Sequence, residues 1–260
     1  MIVTSETLIT CGFLAVLTVL LWRFVRNDRA EYEAFKTLDD SSERRRFYRK
    51  WILSSFLTFG VATLVILALL GRLPALIAMP AEFAPLAERL QALRDETSGA
   101  RSSGFWIGFV GSICVIAVLS AFMTGIGRRK AKQVVLGDVQ PLLPRNAAER
   151  SWTALLSVNA GLSEELFFRL LLPLLLATVT GDALVAFTLS AVIFGLIHLY
   201  QSWSGVLATI VVGLVLTAVY LASGDLWKAI LVHALIDLRG LFLTPLLREL
   251  AASRGKRRAA

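Results

Sequence analysis

Long runs of apolar residues, separated by short polar segments, dominate the pattern along the chain. A helix that crosses the roughly 30 Å hydrocarbon core of a bilayer needs about 20 such residues, and several runs reach that length. The pattern therefore predicts an all-α fold, a polytopic helical bundle in a membrane with about seven (six to eight) transmembrane helices. The predicted spans are residues 6–22, 51–71, 105–127, 152–179, 183–200, 204–222 and 227–247.

Two spans carry additional signals. Gly161 and Pro173 interrupt the fourth span, so the pattern leaves open whether it forms one helix or two. The first span has its positive charges after the apolar run and not before it, which is typical of a retained anchor and not of a cleaved secretory signal.

The polar segments divide the chain into three predicted regions. Residues 1–144 hold N-terminal helices, a basic cytoplasmic segment and, at 79–102, a segment patterned like an amphipathic helix on the membrane surface. We expect no chemistry in this region. Residues 145–250 form the predicted functional core, and residues 251–260 form a basic cytoplasmic tail.

The composition is typical of a membrane protein, and the distribution of its charges indicates how the protein is oriented in the membrane. The chain is 56% hydrophobic and has 27 Lys and Arg against 19 Asp and Glu, a net charge of +8. A basic balance can indicate nucleic-acid binding, but the excess is confined to 23–50, 128–132 and 254–258, whereas 72–104 is balanced. Under the positive-inside rule, the basic segments and the C-terminus are cytoplasmic and the N-terminus is outside. The expected partner of the basic segments is the lipid bilayer with its anionic headgroups, and not nucleic acid.

Ionisable side chains inside the predicted spans are concentrated in the second half of the chain. Such groups are unfavourable at membrane depth and usually face a bundle interior or a water-filled cavity. Residues four apart on a helix share a face, so we expect Glu165 to pair with Arg169, whereas Glu164 points about 100° away. Glu164 is then expected to face a cavity, where a partly desolvated carboxylate can act as a general base.

Both histidines of the chain also fall within predicted spans. A neutral His198 can share a water molecule with Glu164. His233, one turn before Asp237, can orient or stabilise an oxyanion. These residues leave three interpretations open: a catalytic site, a proton-coupled transporter and a purely structural polar network.

The absence of several known hydrolase motifs from the sequence narrows the possible reaction mechanisms. The chain has no HExxH zinc motif, no GxSxG nucleophile elbow and no pair of aspartates on separate spans. Cys11 and Cys114 show neither pairing nor metal-ligand spacing. His198 and His233, with either Glu164 or Asp237, have the composition of a two-histidine, one-carboxylate zinc site, so zinc stays an alternative to a site without metal.

Three short motifs lie in a characteristic order, each on its own predicted span. Glu-Glu-x-x-x-Arg, Phe-x-x-x-His and His-x-x-x-Asp are formed in turn by Glu164, Glu165, Arg169, Phe194, His198, His233 and Asp237. This order resembles the CAAX-protease and bacteriocin-processing family of intramembrane glutamic endopeptidases, also called the CPBP or Abi family. The resemblance covers roughly residues 145–247.

The resemblance implies an intramembrane endopeptidase without a metal or other cofactor. Glu164, assisted by His198, corresponds to the glutamate that activates the attacking water. Glu165, Arg169 and Phe194 correspond to supporting positions.

The resemblance also assigns His233 and Asp237 to the oxyanion side of the site. The last motif position is often Asn in this family, and Asn can donate a hydrogen bond to an oxyanion, whereas an ionised Asp237 can only accept. Either Asp237 is protonated, or it orients His233 and leaves the donor role to that ring.

The substrate class follows only in outline. Prenylated CAAX proteins are one branch of what the family cleaves, but the compact length and the Arg- and Ala-rich spans are typical of a bacterial protein of the inner (cytoplasmic) membrane. We therefore expect a membrane-anchored or secreted peptide or protein precursor as substrate. The alternative is a non-catalytic membrane immunity or scaffold protein that retains the polar network.

Overall fold

The computed structural model describes residues 5–98 and 138–259, and the regular elements in this part are helices. Segments that continue through a π-helical turn are taken here as one helix. The helices are α1 (Ser5–Lys36), α2 (Ser41–Ser55, Phe56–Val61 and Ala62–Leu69), α3 (Ala84–Ser98), α4 (Ala147–Glu165, Leu166–Leu171 and Leu172–Thr180), α5 (Ala183–Ile197), α6 (Ser202–Ser223) and α7 (Leu226–Leu238, Arg239–Leu243 and Thr244–Ala259).

Four helical stretches of the described residues are long and apolar enough to cross a membrane. They are Ser5–Lys36, Ser41–Leu69, Leu199–Ser223 and Leu226–Ala251. The apolar helix Ala183–Ile197 is shorter, and α4 lies among its neighbours with most of its second half buried. The predicted all-α membrane bundle is confirmed, while the predicted span 105–127 lies outside the described residues.

Helix α1 is longer than the sequence pattern predicts. The apolar run suggests an end near residue 22, but the helix continues to Lys36. Its last turns are polar on one side only, since Tyr32 and Phe35 are buried. The extension carries α1 past the end of the apolar layer and against the segment that precedes α4.

The fourth predicted span is a single helix, so neither Gly161 nor Pro173 breaks it. A Cβ atom at Gly161 would lie 2.8 Å from both the Cβ and the backbone nitrogen of Ala234. Glycine is therefore needed for the close approach of α4 and α7, as is usual where membrane helices touch. Pro173 is the second residue after the π-helical turn Leu166–Leu171, where the regular hydrogen-bond pattern has already shifted.

Two tight turns of the same composition join α4 to α5 and α6 to α7. Gly181 and Gly224 end the first helix of each pair with left-handed φ angles of 69° and 70°, which glycine adopts without steric penalty. Asp182 and Asp225 then accept hydrogen bonds from backbone N–H groups in the first turn of the next helix. Each turn thus reverses the chain within a few residues and places successive helices side by side.

The amphipathic segment predicted at 79–102 forms α3 and packs against α6, with 99–102 outside the described residues. Phe83, just before the helix, is fully buried and lies 4.7 Å from Phe187, centroid to centroid. This segment therefore covers the end of the bundle that holds the two tight turns.

The opposite end of the bundle is polar and rich in ion pairs. We call it the basic end, because the basic segment 23–50 reaches it. Lys36 lies 3.0 Å from Asp138, and Arg150 of α4 pairs with Glu249 of α7. These contacts tie the C-terminal end of α1 and the last part of α7 to the region where α4 begins.

Arg44 and Glu149 form a buried ion pair at the basic end. The Nε–Oε2 distance is 3.1 Å and both side chains are 0% exposed. Arg44 also donates to the backbone carbonyls of Pro141 (2.9 Å) and Leu143 (3.2 Å). The pair thus fastens α2 to the loop and first turn of α4, across the boundary between residues 1–144 and 145–250.

Replacing Glu149 by Gln is expected to destabilise the protein strongly, because it leaves the Arg44 guanidinium buried without a counter-charge. Breaking a buried pair in this way typically removes about 3–5 kcal/mol of stability. Thermal unfolding of the purified protein in detergent measures the effect. The matched control is Glu249→Gln, whose carboxylate is 59% exposed and whose loss should change stability by about 0–1 kcal/mol. Equal decreases in the two variants would contradict the assigned role of the buried pair.

Candidate active site

The polar residues predicted from the sequence converge where α4, α5 and α7 meet. Most of them are buried, and His198 and Asp237 are partly exposed. The residues in chain order are Glu164 and Glu165 on α4, Arg169 in its π-helical turn, Phe194 on α5, His198 at the end of α5, and His233 and Asp237 on α7.

Glu165 is the most fully engaged side chain of the site. Its Oε2 lies 3.1 Å from Nε of Arg169, as the helical spacing predicts, although the N–H is not aligned for a hydrogen bond. Its Oε1 accepts a hydrogen bond of 2.7 Å from Nδ1 of His233. This second contact was not predicted. Glu165 therefore links α4 to α7 in addition to neutralising Arg169.

The hydrogen bond to Glu165 sets the orientation of the His233 ring. With Nδ1 bound, Nε2 lies 3.7 Å from Oδ2 of Asp237 and 4.0 Å from Oε2 of Glu164. Both distances exceed hydrogen-bond length. Of the two roles left open for Asp237, direct orientation of His233 is thus not what the structure shows, because Glu165 orients the ring.

Phe194 supports the site through both its ring and its backbone. The Arg169 guanidinium lies over the ring, with Cζ 4.2 Å from the centroid, in the geometry of a cation–π contact. The rings of His198 and His233 approach with centroids at 5.0 and 6.0 Å. Gly213 on α6 leaves room for this ring, since a Cβ there would lie 3.1 Å from Phe194.

The backbone carbonyl of Phe194 also fixes the tautomer of His198. Nδ1 of His198 lies 2.8 Å from that carbonyl oxygen. Because a carbonyl can only accept, Nδ1 carries the hydrogen and Nε2 of the neutral ring is an acceptor.

Glu164 and His198 line one cavity of about 80 Å³, which exceeds the space that a single water molecule needs. Glu164 is 9% exposed and its Oε2 has no hydrogen-bond partner. The adjacent glutamates are thus placed differently: Glu165 is paired with Arg169 and His233, whereas Glu164 faces the cavity.

The cavity also has a wall that the sequence reasoning missed. Phe24, Asp28 and Tyr32 of α1 line it, although the first half of the chain was expected to hold no chemistry. The three residues follow one another at four-residue intervals, which is one face of a helix. That spacing, continued beyond the apolar run, is the signal that could have indicated them.

In the described part of the chain, no group of three or more His, Cys, Asp or Glu side chains is arranged to hold a metal ion.

Substituting the two adjacent glutamates should lower stability to very different extents. Glu165→Gln leaves Arg169 buried without its counter-charge and weakens the bond to His233, so a loss of about 3–5 kcal/mol is expected. Glu164→Gln should change stability little, because no partner of Oε2 is lost. Thermal unfolding of both purified variants tests this. A similar loss in both would show that Glu164 has a structural role equal to that of Glu165.

Comparison with known proteins gives a family match for the segment that carries this site. Residues 146–239 match the family model described as type II CAAX prenyl endopeptidase Rce1-like. Neither the curated proteins nor the solved structures gave a match. The matched segment contains all of the sequence-predicted site residues, so the family predicted from the three motifs is confirmed. Residues 146–239 are thus similar to an Rce1-like domain, which is a domain of the CAAX-protease family of membrane hydrolases.

Proposed function

We propose that the protein is an intramembrane endopeptidase in which Glu164 and His198 activate a water molecule to hydrolyse a peptide bond of a membrane-associated precursor. One observation carries this proposal. Oε2 of Glu164 is buried without a hydrogen-bond partner on the wall of the cavity that His198 also lines. The neighbouring Glu165 is occupied by Arg169 and His233, so Glu164 is the carboxylate left available for chemistry.

The proposed reaction uses both side chains on one water molecule. Nε2 of His198 accepts one hydrogen of the water and holds it in place. Glu164 takes the other proton as the water oxygen forms a bond to the carbonyl carbon of the substrate. The tetrahedral intermediate then breaks its C–N bond, and the proton passes from Glu164 to the leaving nitrogen. The products are a carboxylic acid and an amine.

His233 is the proposed donor to the oxyanion of this intermediate, in its imidazolium form, because Nδ1 already donates to Glu165 and both ring nitrogens must then carry a hydrogen. Glu165 holds Nδ1 and thereby fixes the direction of Nε2, which lies within 4.0 Å of Glu164. A donor in a fixed position stabilises charge that develops in the transition state without having to reorganise. This role is one that an ionised Asp237 cannot fill.

The proposed orientation places the basic end in the cytoplasm and the N-terminus outside. The basic segment 23–50, Arg145 and Arg150 support it, since all of them lie at that end and the positive-inside rule favours the cytoplasm for such residues. The cavity extends from Glu164 to Leu142 at the basic end. We therefore propose cleavage near the cytoplasmic boundary of a bacterial inner membrane, on a membrane-anchored or secreted peptide or protein precursor.

Glu164→Gln is expected to reduce processing by about 10²–10⁴-fold, the usual contribution of a positioned acid–base group. The variant should accumulate in the membrane at the wild-type level. Comparing the membrane proteomes of cells with the wild type and the variant should reveal an uncleaved precursor in the variant only. Glu249→Gln, an exposed substitution of the same kind, is the control. An unchanged proteome together with an unchanged phenotype in Glu164→Gln would favour the non-catalytic immunity or scaffold protein.

Activity of the purified enzyme is expected to survive exhaustive chelation. Glu165 and Arg169 already fix the helix that carries Glu164, so the water needs no metal to hold it. Activity assays after chelation, with metal analysis of the same sample, test this. Activity that disappears on chelation and returns with added Zn²⁺ would replace this mechanism by a zinc site at Glu164, His198 and His233.

A further inference from the structure

One wall of the cavity comes from helices that the family match does not cover. Asp28 and Tyr32 of α1 line it, as does Trp51 of α2. Tyr32 also donates a hydrogen bond to the backbone carbonyl of Asp138 at the basic end. Asp28 precedes Tyr32 by one helical turn and therefore lies between the basic end and the depth of Glu164.

The carboxylate of Asp28 has no cationic partner. Within residues 5–98 and 138–259, no lysine, arginine or histidine forms an ion pair with it. Its neighbour Glu31 is occupied by Lys50 at 2.8 Å and by the indole N–H of Trp51 at 3.2 Å. The cavity lining contains no lysine or arginine, so Asp28 and Glu164 make it an acidic chamber inside a basic end.

Aromatic rings surround these carboxylates. Tyr32, Trp51 and Tyr200 line the same cavity, and the rings of Tyr32 and Tyr200 pack edge to face with their centroids 4.9 Å apart. Aromatic faces attract cations, most strongly where water is excluded. A chamber that combines unpaired carboxylates with aromatic walls thus selects a positively charged group.

We propose that Asp28, with Tyr32, Trp51 and Tyr200, forms a subsite for a lysine or arginine side chain of the substrate close to the scissile bond. The inference rests on the proposed peptide hydrolysis at Glu164. It adds which side chain of the substrate holds the substrate peptide in position for cleavage. Membrane-anchored precursors carry Lys and Arg at their cytoplasmic boundary, which is the depth at which this cavity approaches the basic end. The buried, unpartnered Oε2 of Glu164 marks the same chamber as a place for a ligand.

Binding to an inactive protein tests the subsite separately from catalysis. The full-length Glu164→Gln protein is placed in lipid nanodiscs and titrated with short, fluorescent, N-acylated peptides that contain one lysine in an alanine and leucine background. The matched probes carry norleucine, which has the aliphatic chain of lysine without its amine. The lysine peptides are expected to bind about tenfold more tightly, as one charge-assisted hydrogen bond allows.

The subsite variant is Asp28→Asn in the same background, which should make the lysine and norleucine peptides bind equally. Asp28→Glu should retain most of the preference. The control is Glu33→Gln, which removes the same charge from α1 at a side chain that is 62% exposed and that should leave the preference unchanged.

The outcomes separate the two proposals. Equal affinities in the Glu164→Gln protein, no binding of any lysine peptide at millimolar concentration, or an equal effect of Glu33→Gln would each overturn the subsite. If a Glu164-dependent precursor is nevertheless found in cells, the peptidase proposal stands without it. A lysine preference that requires Asp28, combined with no such precursor, would support a binding site for a cationic side chain at Asp28 but overturn the peptidase, and with it the role of that site as a substrate subsite.

Discussion

Burying a carboxylate away from water is costly unless its charge is matched, and the fully buried Glu165 is matched on two sides. Arg169 pairs with it along α4, and His233 binds it from α7. Arg169 in turn lies over Phe194 of α5, and its Nη2 lies 3.4 Å from the carbonyl oxygen of Gly213 on α6. Four helices are therefore held around one negative charge. Glu164 occupies the next position on α4 and receives a fixed place in the bundle without needing an ion pair of its own.

This arrangement depends on how closely the helices approach one another. The 2.7 Å hydrogen bond between Glu165 and His233 requires α4 and α7 to be in contact, and the lack of a side chain at Gly161 beside Ala234 allows it. In a bilayer, apolar side chains gain little from leaving lipid for protein, so helices associate through close packing and polar contacts. The small residue and the buried charges thus hold α4 and α7 together within the same few helical turns.

The sequence predicts the local features well and the long-range ones poorly. The period of apolar residues indicates the spans, and the four-residue spacing indicates the Glu165–Arg169 pair. The bond from Glu165 to His233 joins residues 68 positions apart, and no local spacing specifies which helices will touch. The role of Asp28 was missed for a related reason. It lies among arginines after the apolar run, and only the packing of α1 against α4 and α5 turns that face of the helix towards the cavity.

The cavity is built by two parts of the chain. One part lies within the segment that matches the family model, and the other part precedes it. The proposed reacting groups, Glu164 and His198, belong to the matched segment 146–239, whereas α1 and α2 supply much of the facing wall. Changes in the first two helices can reshape the chamber without displacing Glu164 or His198, provided that the Arg44–Glu149 contact persists. Selectivity and chemistry can therefore diverge at different rates within one lineage, and relatives with the same polar motifs need not act on the same molecules.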